Sequence, residues 1–256
     1  MNKLFLFLFN SFIPFFAFAQ VNERLNNAKS GINNLIQSVA VIELFSSEGC
    51  SSCPSADDMI NKIAIDAGKK HLPIYVLEEH VDYLNNTEWK DTFSGKQFTD
   101  RQKNYKQALH DDNIYTPQIF VNGPHEVYVP NAEMVTEEIN KALKEPALTT
   151  ISFSVNPVND SIAEVDYHLS TSDKNWIVNF VLVQKNAVTH ITSGENKGLT
   201  LTHLNVAKQI VSDSVSIPDG IVQLNIPKYE VNTFSVIAFI QDKITMKIIG
   251  ATQMNI

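Results

Sequence analysis

Cys50 and Cys53 are the only thiols among 256 residues. One cysteine pair cannot build a disulfide framework, but three positions apart it can close one small bridge or cycle as a redox couple. In the run Glu48-Gly49-Cys50-Ser51-Ser52-Cys53-Pro54 the first cysteine stands at the start of a predicted helix. Unpaired backbone N–H groups and the helix macrodipole stabilise a thiolate there, which favours the ionised form of Cys50. Pro54 suits the first helical turn, where its missing N–H costs little, and Ser51 and Ser52 can donate hydrogen bonds toward a thiolate. The spacing alone also fits half a zinc site. Zinc takes about four ligands, however, and the chain has no second cysteine pair and no closely spaced histidine pair. An inert stabilising bridge is the plainer alternative, although closing so short a loop removes little chain entropy.

The elements that must position this pair follow from the hydrophobic pattern. Val39 to Phe45 is a nearly continuous apolar run, the mark of a strand buried on both faces. Ser46 to Ser52 supplies turn and capping residues. From Cys53 to Lys69, Ala56, Met59, Ile60, Ile63 and Ala67 recur at helical spacing. A strand over Pro73–Val81 and a helix over Lys96–Leu109 follow. Two short strands, Gln118–Val121 and Glu126–Val129, flank the turn Asn122-Gly123-Pro124, and a helix over Ala132–Lys144 ends before Pro146. Beyond Leu148 the period changes to two: Ile151, Phe153 and Val155 alternate with serines, and Ala163, Val165, Tyr167 and Leu169 alternate with polar residues. Further runs at Trp176–Val183, Val222–Ile226, Phe234–Ile240 and Ile244–Ile249 predict an antiparallel sandwich. The expected organisation is a leader or linker over 20–38, an α/β domain over 39–145 and an all-β, sandwich-like domain over 146–256.

The order strand, Cys-x-x-Cys, helix, strand, helix, x-Pro, hairpin, helix is that of a thioredoxin fold. Thr116-Pro117 stands where thioredoxin-like proteins carry a cis-proline facing the cysteine pair. A cis bond there leaves the backbone of Thr116 open to pair with an extended substrate segment.

Other polar residues are candidates by position. His80 ends the second strand, beside the cysteine-bearing one, and could shuttle a proton or support the thiolate, since imidazole titrates near neutral pH. A packed or capping histidine is the bland alternative. Asp82 could orient His80 or deprotonate Cys53. Trp89 and Arg101 lie in a stretch longer than a minimal thioredoxin needs, which suggests a lid or substrate wall, with surface packing the ordinary reading for Trp89. Glu195, Asn196, His203 and Asn205 fall on what reads as a connection in the all-β half, and the first three are candidates for an interface between the halves.

The segment Glu43-Leu-Phe-Ser-Ser-Glu-Gly-Cys-Ser-Ser-Cys-Pro-Ser-Ala-Asp57 resembles the signature of an exported, thioredoxin-like family catalogued as domain of unknown function 1223. His80-Val-Asp-Tyr83, Trp89-Lys-Asp91, Arg101-Gln102, Tyr115-Thr-Pro-Gln118, Gly194-Glu-Asn196 and His203-Leu-Asn-Val206 extend the resemblance over about residues 39–256. Ser46 and Glu48 depart from the Thr and Gln of that pattern, Ser55 replaces a second proline and Leu84 an aromatic residue. Glu48 matters most, because an anion beside Cys50 opposes thiolate formation. The resemblance implies a fold and no particular reaction.

The N-terminus predicts export. A basic start at Lys3, an apolar run from Leu4 to Phe18 and the small-x-small Ala17-Phe18-Ala19 have the form of a signal peptide over 1–19, with the mature chain beginning at Gln20. The run is shorter than the roughly 20 residues of a spanning helix, so no stable membrane anchor is expected after cleavage. A net charge of −8 disfavours a nucleic-acid partner. The chain is therefore expected to be an exported (periplasmic or secreted) thiol–disulfide oxidoreductase acting on protein or small-molecule thiols and disulfides. Cys50 would be the nucleophile, Cys53 the resolving thiol and Pro117 the substrate-backbone holder, with Thr116, His80 and Asp82 in support and no cofactor or metal. The rivals are a binding protein with a structural disulfide and a copper-handling protein using Cys50, Cys53 and His80. The motif leaves reduction, oxidation and isomerisation open.

Overall fold

The computed structural model describes residues 36–128, 131–226 and 233–256. The expected signal peptide, and the leader up to residue 35, lie outside these residues.

Strand β1 (Ala40–Ser46) is buried at every position, and helix α1 (Cys53–Lys70), strand β2 (Ile74–His80) and helix α2 (Lys96–Ala108) follow it. Strands β3 (Gln118–Val121) and β4 (His125–Val127) form a hairpin, and helix α3 (Ala132–Ala142) closes this half. Asn131 caps α3 by accepting from the backbone N–H groups of Glu133 and Met134. The hairpin turns through Gly123 at φ +96°, where a Cβ would stand 1.9 Å from the carbonyl oxygen of Met246, so both the sign of φ and the close approach require glycine.

The remaining strands are β5 (Ile151–Pro157), β6 (Ile162–Leu169), β7 (Trp176–His190), β8 (Thr200–Ser214), β9 (Asp219–Asn225), β10 (Phe234–Asp242) and β11 (Ile248–Asn255). Two points correct the sequence reading. Residues 200–214 are a long strand rather than a connection, because β8 pairs antiparallel with β7 from Ile177↔Ser214 to His190↔Thr200. The last strand begins at Ile248, since Asp242 caps a turn by accepting from the N–H groups of Ile244 and Thr245.

The result is a mixed α/β molecule dominated by strands. One eight-stranded sheet has the order β11-β10-β7-β8-β2-β1-β3-β4, and a three-stranded antiparallel sheet has the order β5-β6-β9. The large sheet crosses the expected junction at Glu145-Pro146, because β8 runs parallel to β2 with Glu78 opposite Val206. Residues 36–256 form one compact unit.

The period-two pattern decides what each face buries. Ile42 and Leu44 of β1 pack with Ile60 of α1 and Val135 and Ile139 of α3. Val41 and Phe45 point the other way, into clusters containing Phe98 and Tyr105 of α2. In the β-rich half, Val178, Phe180 and Leu182 of β7 face Val165, Tyr167 and Leu169 of β6 across the two sheets, while Val181 and Val183 turn to the opposite face.

Candidate functional site

The segment from Ser47 to Cys53 makes two successive turns, with the N–H of Cys50 donating to the Ser47 carbonyl and that of Cys53 to the Cys50 carbonyl. Cys50 and Cys53 are joined in a disulfide with their Cα atoms 5.4 Å apart, and Cys53 is the first residue of α1. Cys50 is 8% exposed and Cys53 0%, so only the first sulfur's residue reaches the surface. The Ser52 hydroxyl lies 3.4 Å from the Cys50 sulfur. Pro54 occupies the first turn. The Thr116–Pro117 bond is cis. Because Gln118 pairs with Phe45, that bond is level with the end of β1 from which the cysteine segment departs.

A loop from the β-rich half clasps this segment. Asn196 donates to the carbonyls of Glu48 (2.8 Å) and Cys50 (2.9 Å). Glu195 accepts from the backbone N–H of Ser51 at 3.2 Å. The loop turns at Gly194, whose φ of +78° suits glycine and where a Cβ would press on Trp89 at 3.2 Å. Ser193 bonds to the Glu88 carbonyl.

On the α1 face of the sheet lies a buried set of ionisable groups: Glu48, Asp57, Glu78, His80, Asp91 and His203. Glu78 and His80 alternate on β2, His203 comes from β8, Asp57 from α1 and Asp91 from the loop before α2. His80 holds Asp91 through Nδ1 at 2.6 Å and Glu78 through Nε2 at 3.0 Å. His203 meets the same Glu78 Oε1 through Nδ1. Its Nε2 lies 3.5 Å from Oε1 of Glu48, and among the described residues neither of these two atoms has a hydrogen-bond partner. Oε2 of Glu48 accepts from the Trp89 indole N–H at 3.1 Å. Phe93 packs edge-on against both imidazoles.

These contacts set the protonation states. Burial alone would strip the proton from His80, but the charge of Asp91 and its hydrogen bond outweigh it and hold the pKa well above the usual value. Burial opposes the His203 proton too, but the neighbouring Glu48 and Glu78 carboxylates outweigh it and raise the pKa to about 9. Burial pushes the Glu78 carboxyl up, yet its bonds from His203 and His80 leave it below the ordinary carboxylate range. Asp91 is lowered too, with the His80 charge overcoming burial. Asp57 goes the other way. Burial, reinforced by the Glu78 charge, raises it to about 7, although the Ser46 hydroxyl donates to it at 2.6 Å.

A second buried network occupies the α2 face. Arg101 pairs with Glu43 and lies 3.6 Å from Glu79, and it donates to the Tyr105 hydroxyl at 2.8 Å. Tyr105 donates to Glu43, and Gln241 donates to the Tyr105 oxygen at 2.9 Å. Burial and the Glu43 charge raise Glu79 well above the carboxylate range, with Arg101 opposing.

Of the residues singled out from the sequence, Cys50, Cys53, His80, Glu195, Asn196 and His203 gather around one region. Asp82 does not join them. Its carboxylate accepts from Thr99 at 2.6 Å, while Asp91 orients His80. Trp89 is more than surface packing, since its indole N–H ties down Glu48. Glu48 itself turns its carboxylate to Trp89 and His203. Glu78, Asp57, Asp91, Glu43 and Glu79 were not picked out by sequence reasoning as functional. Three consecutive ionisable residues, Glu78-Glu79-His80, at the end of an otherwise apolar strand were the available signal, because buried charges need partners.

The model of a family described as protein of unknown function (DUF1223) matches residues 41–241. A crystal structure of protein AGR_C_4864 from Agrobacterium tumefaciens has a similar fold, with a TM-score of 0.65 and 22% identity over 86% of this chain and 95% of that one. No curated protein matches the chain.

Proposed function

The chain belongs to the DUF1223 family, and on the geometry of its cysteine segment we propose that it is an exported thiol–disulfide oxidoreductase with a thioredoxin-like N-terminal half. The observation that carries this reading is the asymmetry of the pair. Cys50 and Cys53 are bridged at the start of an eighteen-residue helix, and of the two buried residues only Cys50, at 8%, keeps any surface in contact with solvent. Supporting it are the cis Thr116–Pro117 bond at the adjacent strand end and the element order β1-α1-β2-α2-β3-β4-α3. Export rests on the N-terminal pattern of the sequence. A mature chain beginning at Gln20 would agree with it.

In the reductive direction the Cys50 thiolate attacks one sulfur of a substrate disulfide. The substrate S–S bond breaks, one thiolate leaves, and a mixed disulfide forms. Cys53 then attacks the Cys50 sulfur, releasing the second substrate thiol and closing the Cys50–Cys53 bridge, so two electrons pass to the substrate. Oxidation is the reverse. Asp57 lies one helical turn beyond Cys53 and titrates near neutrality, which suits it to take up the proton that Cys53 loses. Asn196 and Glu195, bonded to the cysteine segment's backbone, position it.

The test is turnover of insulin disulfides or an aromatic disulfide by the full chain with excess dithiothreitol as the electron source, measured above the dithiothreitol-only rate, with Cys50→Ser as the control. Multiple turnovers abolished by Cys50→Ser support the reading. A protein that holds its disulfide and turns over neither substrate overturns it.

A further inference from the structure

We propose that Glu78, His80 and His203 form a binding site for one divalent transition-metal ion of the zinc type, with Asp91 and Glu48 as the carboxylates that orient the two imidazoles. The proposal does not depend on the redox reading, because none of its donors is a cysteine.

Three potential ligand atoms, one each from Glu78, His80 and His203, lie within 4.8 Å of one another and all three residues are buried. Each imidazole uses its two nitrogens differently. Nε2 of His80 and Nδ1 of His203 both point at the same oxygen, Glu78 Oε1. The opposite nitrogens face separate carboxylates: His80 Nδ1 lies 2.6 Å from Asp91, and His203 Nε2 lies 3.5 Å from Glu48. A metal-bound histidine almost always donates its other N–H to a carboxylate, carbonyl or water, which fixes tautomer and ring orientation. Here His80 and Asp91 make that arrangement, and His203 faces Glu48 in the same sense at a longer distance, around one carboxylate oxygen.

The outer carboxylates are themselves fixed. Asp91 accepts from the Glu48 and Phe93 backbone N–H groups at 2.9 Å each, and Glu48 accepts from Trp89. Glu48 Oε1 and His203 Nε2 are buried and face each other at 3.5 Å, and among the described residues neither makes a hydrogen bond. This outer contact is therefore looser than the His80–Asp91 one, although buried polar atoms ordinarily have hydrogen-bond partners. Metal entry would replace the protons shared between the imidazoles and Glu78, and two protons would leave to solvent.

The donor set selects the ion. Two imidazoles and one carboxylate suit zinc and related borderline cations, whereas Cu(I) prefers thiolates, and both thiols are committed to the disulfide. Three protein ligands leave a fourth position on a tetrahedral ion.

The experiment uses the oxidised full chain, freed of metal by chelation. Zn²⁺ is added by titration and, in parallel, during refolding, to allow for a closed site. Bound metal is counted after gel filtration, and Co²⁺ supplies an optical readout. We expect one Zn²⁺ per chain, a tetrahedral Co²⁺ spectrum lacking a thiolate charge-transfer band, loss of binding in His203→Gln and 10- to 100-fold weaker binding in Asp91→Asn. Asp91→Asn and Glu48→Gln keep the test open if His203→Gln does not fold. No stoichiometric metal by either route, binding undiminished in these variants, or a thiolate band would overturn the proposal.

Discussion

The two faces of the same pair of strands carry two buried polar networks that behave oppositely. On the α1 face Glu78 and His80 meet His203, Asp91 and Asp57. On the α2 face Glu43 and Glu79 meet Arg101 and Tyr105. Alternation along β1 and β2 produces both. The partners make the difference. A guanidinium stays charged at any accessible pH, and Tyr105 is held well above its usual range by burial, with Arg101 opposing and Glu43 adding to it, so these two groups each keep one state. Glu79, raised well above the carboxylate range, is the α2 group whose ionisation is displaced. Two imidazoles and a carboxyl raised to about 7 let the α1 network exchange protons. One face locks the sheet, and the other can change state.

The largest way to break this comparison is Arg101→Met. It leaves Glu43 and Glu79 buried without their cation, and removing one partner of a buried pair costs about 3–5 kcal/mol. Urea unfolding should read a loss of that size, and a loss below about 1 kcal/mol would mean that the α2 network does not lock the fold.

The pH dependence above neutrality should come chiefly from the α1 imidazoles, with the raised Glu79 on the α2 face adding in the same direction. His80 and His203 have raised pKa values in the folded state, so their contribution is fully present below about 6.5 and is lost as pH rises through the folded values, about 9 for His203. Asp57, raised to about 7, adds in the same direction, its contribution fading between the ordinary carboxylate range and neutrality. Glu78 and Asp91 are lowered, so their stabilisation is lost only as pH falls through their folded values, below the ordinary carboxylate range. Unfolding free energy should therefore decline from pH 7 to 10, by roughly 3 kcal/mol at most from His203 at 1.4 kcal/mol per unit. His203→Gln should flatten the decline, and an unchanged slope would place it elsewhere. The smallest effect is expected for Asp82→Asn, which retains an acceptor for Thr99. It should cost under about 0.5 kcal/mol and leave both the pH profile and cysteine reactivity unmoved.

What was legible in the sequence was local. Pro54 and the spacing of Ala56, Ile60, Ile63 and Ala67 place α1 correctly, and the alternation in β5, β6 and β9 places those strands. The long strand β8 was missed because Thr200–Asn205 reads as a polar turn, and its pairing to β2 joins residues more than 120 positions apart. The same separation hid the site. His203 meets Glu78 across 125 positions, and nothing in one chain's pattern links them. Asp82 was the natural partner for His80 by proximity, but the loop that follows folds back and brings Asp91 instead. Local spacing encodes the cysteine turn, while the groups beneath it are assembled by tertiary contacts.

The central claim is that Cys50 attacks and Cys53 resolves. Its most direct measurement is the trapping of mixed disulfides by the reduced Cys53→Ser and Cys50→Ser chains at neutral pH, using an aromatic disulfide and mass spectrometry. Cys53→Ser should accumulate one stable adduct at Cys50 rapidly, because no second thiol remains to release it, while Cys50→Ser should react slowly at the buried Cys53. Equal rates in the two variants, or faster trapping at Cys53, would contradict the account.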